Sequence, residues 1–361
     1  MAQTKILVTG ATGYVGGSVL EHLRSSSNPK IKDASITTLV RRQDHADLLG
    51  KRGVKAQVFN GLDDSDQLRS IASDFDIVVH CATGSHTASA EALILGLGDA
   101  KARTGQQTYY IHTTGTSNFA QGLSNPDATV QSISDKDDVY GEEVKLEAKS
   151  PYAQRTTDLV VVHTAEKTGV KAYLLMPPTI YGKGLGRFKT LSYQVPIVVR
   201  NAIAAGHPTY IGDGSGSLGK VHIDDVVTQY EIILSKVLDG EEIPSGRKGI
   251  YFSSTGSYTW KDVNELVGQV GARLNALESS APVSVSLEEA VEKWPHGANA
   301  TFVERNFAAR HPAVTKPELA FDLGWKPTRT EEKDWIADIE QNWEAILSEQ
   351  KEQLQFRIRT T

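Results

Sequence analysis

KILVTGATGYVGGSV, residues 5–19, passes from a short apolar stretch into a segment broken by glycines. Residues 5–8 have the make-up of a buried strand, and after Gly10 apolar residues recur at Val15, Val19, Leu20 and Leu23, the face of a helix. Gly10, Gly13 and Gly16 therefore fall at a strand-to-helix turn. They remove side chains that would keep a pyrophosphate from the turn backbone and the helix from its strand, and the helix N-terminus offers open N–H donors to the anion. In outline this is a dinucleotide site. A tight turn without a ligand is the other reading, and the rest of the chain must weigh between them.

Downstream, SITTLVRR (35–42), VKAQVF (54–59), FDIVVHCA (75–82) and QTYYIHTT (107–114) are short, β-branched apolar runs separated by helical-looking spans. That alternation predicts a doubly wound parallel α/β sheet of the Rossmann type. A polar stretch at 118–150 interrupts it and reads as a long loop beside the strand ends, before a helix over 151–168 and the strand VKAYLLM at 170–176. Beyond Pro177 the pattern is irregular, with helices expected at 190–205, 224–238, 259–273 and 331–350. Residues 1–180 are read as the nucleotide-binding domain and 181–361 mainly as a smaller substrate-binding lobe that returns to the sheet. In the last helix Trp335, Ile339, Trp343 and Ile346 lie about a turn apart and predict core packing.

With 361 residues and 39% hydrophobic content the chain can bury a large core. A net charge of −6 argues against nucleic acid as a partner, and no apolar run is long enough to span a membrane. Cys81 is the single cysteine, so internal disulfides are excluded, and the start MAQTK has no signal-peptide pattern. A reducing, cytoplasmic setting is the expectation. The ten histidines are scattered and no Cys/His spacing suggests a metal.

TGATGYVG at 9–16, MPPTIYGKG at 176–184, IGDG at 211–214, VHIDDV at 221–226 and LGWKP at 323–327 together resemble the extended branch of the short-chain dehydrogenase/reductase superfamily, in its atypical, epimerase/dehydratase-like form. The resemblance covers nearly the whole chain. It implies a Rossmann-like domain binding NAD or NADP, a small C-terminal lobe closing over a substrate, and dimerisation through two sheet-flanking helices.

In such folds an acidic residue ending the second strand bonds the NAD ribose, whereas arginine suits the NADP phosphate. Here the strand ends in Arg41 and Arg42, two fork-shaped donors, so NADP(H) is expected over NAD(H). The resemblance carries the remaining cofactor contacts to Thr12, Tyr14 and Val15 in the turn, Leu62, then Cys81, Ala82 and Thr83, and Pro177 and Ile180. Gly61 stands where the family usually has an aspartate. Cys81 reads as a packed residue beside the cofactor rather than a nucleophile.

The family's chemistry uses Tyr-x-x-x-Lys with a Ser or Thr after strand five. Tyr152 is the best-placed tyrosine, but Thr156 occupies the lysine position; Tyr140 and Lys145 are one residue too far apart. Thr114 and Thr116 are the favoured hydroxyls. His112, Lys220 and His222 are candidate substrate-facing groups, whereas Asp224 and Asp225 read as acids at a helix start.

Three readings stand. In a reductase, Tyr152 or Tyr140 stays protonated and donates to a developing alkoxide, a direction that needs no depressed pKa. In an isomerase or epimerase, bound NADP serves a non-redox transformation. In a regulatory protein, catalysis is lost and the fold reports NADP redox state. A small neutral ketone or aldehyde is the expected substrate. A sugar nucleotide would need positive charge, for which Lys183, Arg187, Lys189 and Arg200 are available.

Overall fold

The computed structural model describes residues 3–120, 132–294, 300–308 and 315–360, with side chains described as far as 352. Its centre is a seven-stranded, wholly parallel sheet. Five strands come from the first third of the chain: β1 (Lys5–Thr9), β2 (Ser35–Val40), β3 (Lys55–Val58), β4 (Ile77–His80) and β5 (Tyr109–Thr113). The strand Lys171–Met176 pairs with β5, and Ile250–Phe252 joins its far side, giving the order 250–252, 171–176, β5, β4, β1, β2, β3. The order reverses between β1 and β4, which opens a crevice at the strands' carboxyl ends.

Both faces of the central strands are covered, so they read as continuous apolar runs rather than alternating ones. On one face Ile6, Val8 and Val79 pack with Val19 and Leu23 of helix α1 (Tyr14–Ser25) and with Val226, Tyr230 and Ile233 of helix Ile223–Asp239. On the other, Leu7, Val78 and Tyr110 meet Leu93, Leu97, Val161 and Val162 from helices Thr87–Thr104 and Ala153–Thr168. Each fully buried side chain of this kind contributes roughly 1.5–3 kcal/mol.

A separate core belongs to the second half. Trp335, Ile339, Trp343 and Ile346 of helix Glu332–Thr360 are all buried against helices Gln194–Ala205 and Trp260–Arg273. Trp343 Nε1 donates to the Val267 carbonyl at 3.1 Å, which satisfies its one polar atom.

The expected long loop at 118–150 is corrected by the structure. Residues 121–131 lie outside the described residues; the remainder forms a two-residue strand, Ile133–Ser134, and the helix Val139–Lys149. Asp135 fastens this region, accepting from the backbone N–H groups of Phe252 and Leu319 at 3.1 and 2.9 Å.

Candidate active site

The β1–α1 turn is built on close backbone approach. Gly10 has φ +76°, and a Cβ there would lie 2.6 Å from the Cys81 carbonyl; one on Gly16 would lie 2.4 Å from the Gly10 oxygen. Gly13 begins α1 with no side chain capping it, which leaves first-turn N–H groups facing outward. A cradle that excludes even a methyl group, at the start of a three-turn helix, fits a pyrophosphate. Tyr14 holds the turn against the second half through its hydroxyl, which donates to the Gly182 carbonyl at 2.7 Å. Burial pushes that phenol well above its ordinary range.

At the end of β2 the two arginines differ. Arg42 starts the next helix and is held by Asp44, Nε to Oδ1 at 2.9 Å and Nη2 to Oδ2 at 2.5 Å. Arg41 is exposed and enters no ion pair among the described residues. Leu62 is partly buried against the core that includes Leu68 and Phe75.

The crevice widens into a cleft of about 580 Å³. Its walls are Tyr14 and Val15; Cys81, Ala82 and Thr83 after β4; Thr113 to Ser117 after β5; Gln154; Pro177 to Ile180; and, from the second half, Tyr193, Gln194, Leu218 and Asn306. None of these described lining residues carries a charge. Burial pushes the Cys81 thiol up to about 11, so it stands protonated at neutral pH.

Thr114 and Thr116 both open onto this cleft. Tyr152 stands just behind it, its hydroxyl 3.2 Å from Ser117 Oγ, with the Arg305 guanidinium 4.2 Å from its ring centroid. Thr156, at the lysine position, faces away and donates to Glu147. Arg155 is buried and committed: Nε donates to Glu147 Oε2 at 3.0 Å and Nη1 to the Asn118 carbonyl at 2.5 Å.

Other candidates do not come to the cleft. Tyr140 packs partly buried against the core, under Arg247 at 4.9 Å. His112 is fully buried in a cluster with the rings of Tyr110 and His80, at 5.7 and 5.5 Å, and burial holds it neutral. Lys220 lies over Trp335 at 5.2 Å. His222 packs edge-on to Tyr181, and its Nδ1 accepts from the Asp224 N–H at 3.1 Å, capping helix Ile223–Asp239. The cap is thus His222, and Asp225 instead accepts from the backbone of Thr328 and Arg329 at 2.7 and 3.0 Å.

Sequence reasoning missed Ser117, Gln154 and Asn306 on the cleft wall, and Arg305, whose helix is remote in the chain from Tyr152. It also missed Asn118 and Asp158, which lie behind Thr114, and it read Glu143 only as an acid of the polar stretch at 118–150, whereas that carboxyl is fully buried beside them. Thr114 Oγ1 donates to Asp158 Oδ2 at 2.5 Å.

The family model described as the NAD dependent epimerase/dehydratase family matches residues 6–244. The chain belongs to that family. Its members are nicotinamide-dinucleotide-dependent enzymes of the extended short-chain dehydrogenase/reductase kind. Among curated relatives, this member is 27% identical over 347 residues to Oxidase ucsJ of an Acremonium species, covering 90% of this chain and 92% of the relative. It is 25% identical over 334 residues to an uncharacterized protein of Saccharomyces cerevisiae, covering 90% of this chain and 94% of that one. Among solved structures it is similar to the dTDP-glucose 4,6-dehydratase DesIV of Streptomyces venezuelae, with TM-score 0.64 and 17% identity over 92% of this chain and 95% of that chain. A UDP-glucose 4-epimerase of Thermotoga maritima gives TM-score 0.60 and 15% identity over 96% and 99%. These likenesses carry the fold. Among the described residues, no helix is long and apolar enough to cross a membrane.

Proposed function

We propose that this family member is an NADP(H)-dependent reductase of a small, neutral carbonyl compound. The observation that carries the reading is the cleft wall: among its described lining residues, hydroxyls, amides and apolar groups are present and charge is absent. A sugar diphosphate brings two negative charges that such a wall would desolvate without pairing. Lys183, Arg187, Lys189 and Arg200 are not among the lining residues.

The glycine turn would hold the pyrophosphate and Arg41 the ribose phosphate, while Tyr14, Val15, Cys81 to Thr83, Pro177 and Ile180 would flank the rest. The bound nicotinamide supplies the hydride. The chain's own work is to position the carbonyl and to protonate its oxygen. Thr114 and Thr116 open onto the site, and Tyr152 supports it through Ser117. Protonation suits a chain without the lysine, because a phenol or alcohol at neutral pH already carries its proton. Residues 1–180 then serve the nucleotide and 181–361 cover the substrate. The name of the Acremonium relative favours a second reading, in which the same cleft works toward oxidation.

Titration of the purified protein with NADPH, NADP, NADH and NAD, followed by cofactor fluorescence or heat, tests the cofactor half. A charge-assisted bond is worth roughly 1.5–3 kcal/mol, so Arg41→Ala is expected to weaken NADPH about tenfold to a hundredfold and leave NADH unchanged. Arg42→Ala is expected to do little, since Asp44 already occupies that guanidinium. Equal affinity for NADH and NADPH would overturn the phosphate assignment. NADPH consumption with a carbonyl panel then separates reduction from oxidation of the corresponding alcohols.

A further inference from the structure

Behind Thr114 lies a polar cluster that hydride transfer alone does not require. Asp158 of helix Ala153–Thr168 and Glu143 of helix Val139–Lys149 are both fully buried. A single amide nitrogen, Asn118 Nδ2, donates to both: 2.7 Å to Asp158 Oδ2 and 2.6 Å to Glu143 Oε1. Among the described residues the second oxygen of each carboxyl, Glu143 Oε2 and Asp158 Oδ1, has no donor outside the pair itself. Thr114 Oγ1 meets Asp158 Oδ2 at 2.5 Å on one side and borders the cleft on the other.

Two buried carboxyls that share one amide donor do not both ionise at neutral pH, so a proton belongs to the pair. The neighbours relieve this only in part, through Asn118 and the Arg155 charge. On the sheet side His112 Nε2 is 3.6 Å from Asp158 Oδ1, with Tyr110 and His80 stacked behind it. Burial keeps both histidines uncharged, His80 at about 4. On the helix side Arg155 is already paired with Glu147. Burial accordingly raises Glu143 to about 7, and burial together with the Glu143 carboxyl raises Asp158 well above the ordinary carboxyl range.

We propose that the Asp158–Glu143 carboxyl pair is a proton store that discharges into the cleft through the Thr114 hydroxyl. At rest the Thr114 hydroxyl donates to Asp158 Oδ2; in reduction it turns to the cleft, and the alkoxide oxygen takes its proton as the O–H bond at Thr114 breaks. Thr114 takes a proton from Asp158 in the same sense, and the pair is left one negative charge richer. Once product has left, water in the cleft returns a proton along the same route. Asp158 and Glu143 touch neither substrate nor cofactor; they act through Thr114. The catalytic use of the store rests on the reductase reading, but its connection to the cleft does not.

The deciding measurement is therefore made on the full chain without substrate. The infrared carbonyl stretch of protonated carboxyl groups is recorded at neutral pH, then followed after rapid mixing into heavy water. The expected result is a band lost in Asp158→Asn, whose deuterium shift is slowed roughly tenfold or more in Thr114→Val and restored in Thr114→Ser. Near-ultraviolet circular dichroism checks folding, and where Asp158→Asn does not fold the Val/Ser pair at position 114 carries the test. No protonated band assignable to the pair, or an exchange rate indifferent to Thr114→Val, would overturn the proposal. With NADPH and 4-nitrobenzaldehyde as probe, Asp158→Asn is expected to lower kcat roughly a hundredfold and to change its pH profile, with NADPH affinity intact. Normal exchange without NADPH oxidation by the wild type would count against the reductase reading and leave the store standing.

Discussion

Gly10 and Gly53 share a φ of +76°, yet only at Gly10 would an added Cβ meet backbone, 2.6 Å from the Cys81 carbonyl, whereas one at Gly53 would find nothing within 4 Å. The pair separates backbone strain from contact. Gly53→Ala is expected to cost roughly 1–2 kcal/mol, the strain of a left-handed non-glycine residue. Gly10→Ala is expected to cost more and also to weaken dinucleotide binding at least tenfold, because β1 must move from β4 to admit the methyl group. Urea unfolding and NADPH fluorescence titration read the two effects. Equal stability losses would mean that the turn relaxes freely. Cys81 offers a chemical check on the same wall. With its thiol at about 11, well under about 1% is thiolate at pH 7.5, so iodoacetamide is expected to label the native protein far more slowly than the unfolded chain.

Elements differ in how plainly the sequence announces them, and the reason is what each one buries. The central strands are covered on both faces and so appear as unbroken apolar runs; every sheet strand of the first half was legible within a few residues. Helix Val139–Lys149 was not, because the only positions it fully buries are Val139 and Glu143. A carboxyl where the apolar stripe should run makes the segment look like a solvated loop. The glycine turn was readable from its local spacing. The cluster of Thr114, Asn118, Glu143 and Asp158 was not, since it joins three separated elements through polar side chains that have no period. Asp225 shows the same limit in the second half. It lies in the first turn of its helix, yet its carboxylate is fully buried and accepts two backbone N–H groups from the segment at 328–329. Asp225→Asn turns a donor toward those donors, so a loss of about 1–3 kcal/mol is expected in urea unfolding. A change within a few tenths would show that the bonds are dispensable and that the segment is held by Trp325, whose Nε1 donates to the Asp225 carbonyl at 2.9 Å.

The whole molecule carries an unusual set of buried acids. Desolvation raises Asp135 to about 6, Glu143 and Asp338 to about 7, and Asp158 well above the ordinary range. An acid whose folded pKa is raised gives up stability as pH climbs from its unfolded value toward the folded one, because over that window the native state binds the extra proton. The buried histidines act oppositely: His80, lowered to about 4, and His112 lose stability as pH falls below about 6.5. Below neutrality the two groups oppose each other, four acids against His80, His112 and the partly buried His222, which burial also lowers. Between about pH 6.5 and 7 the histidines no longer titrate, and three acids still do. The protein is therefore expected to melt at a higher temperature near about pH 5.5 than near about pH 8, at a slope of about 1.4 kcal/mol per unit for each uncompensated proton. Asp338 isolates one contribution. Its Oδ1 accepts from the Gly182 N–H at 2.8 Å, a bond that the amide oxygen of Asp338→Asn can keep while removing the titration. That variant is expected to flatten the fall in melting temperature toward alkaline pH. An unchanged slope would place the proton uptake elsewhere, with the Asp158–Glu143 pair the next to substitute.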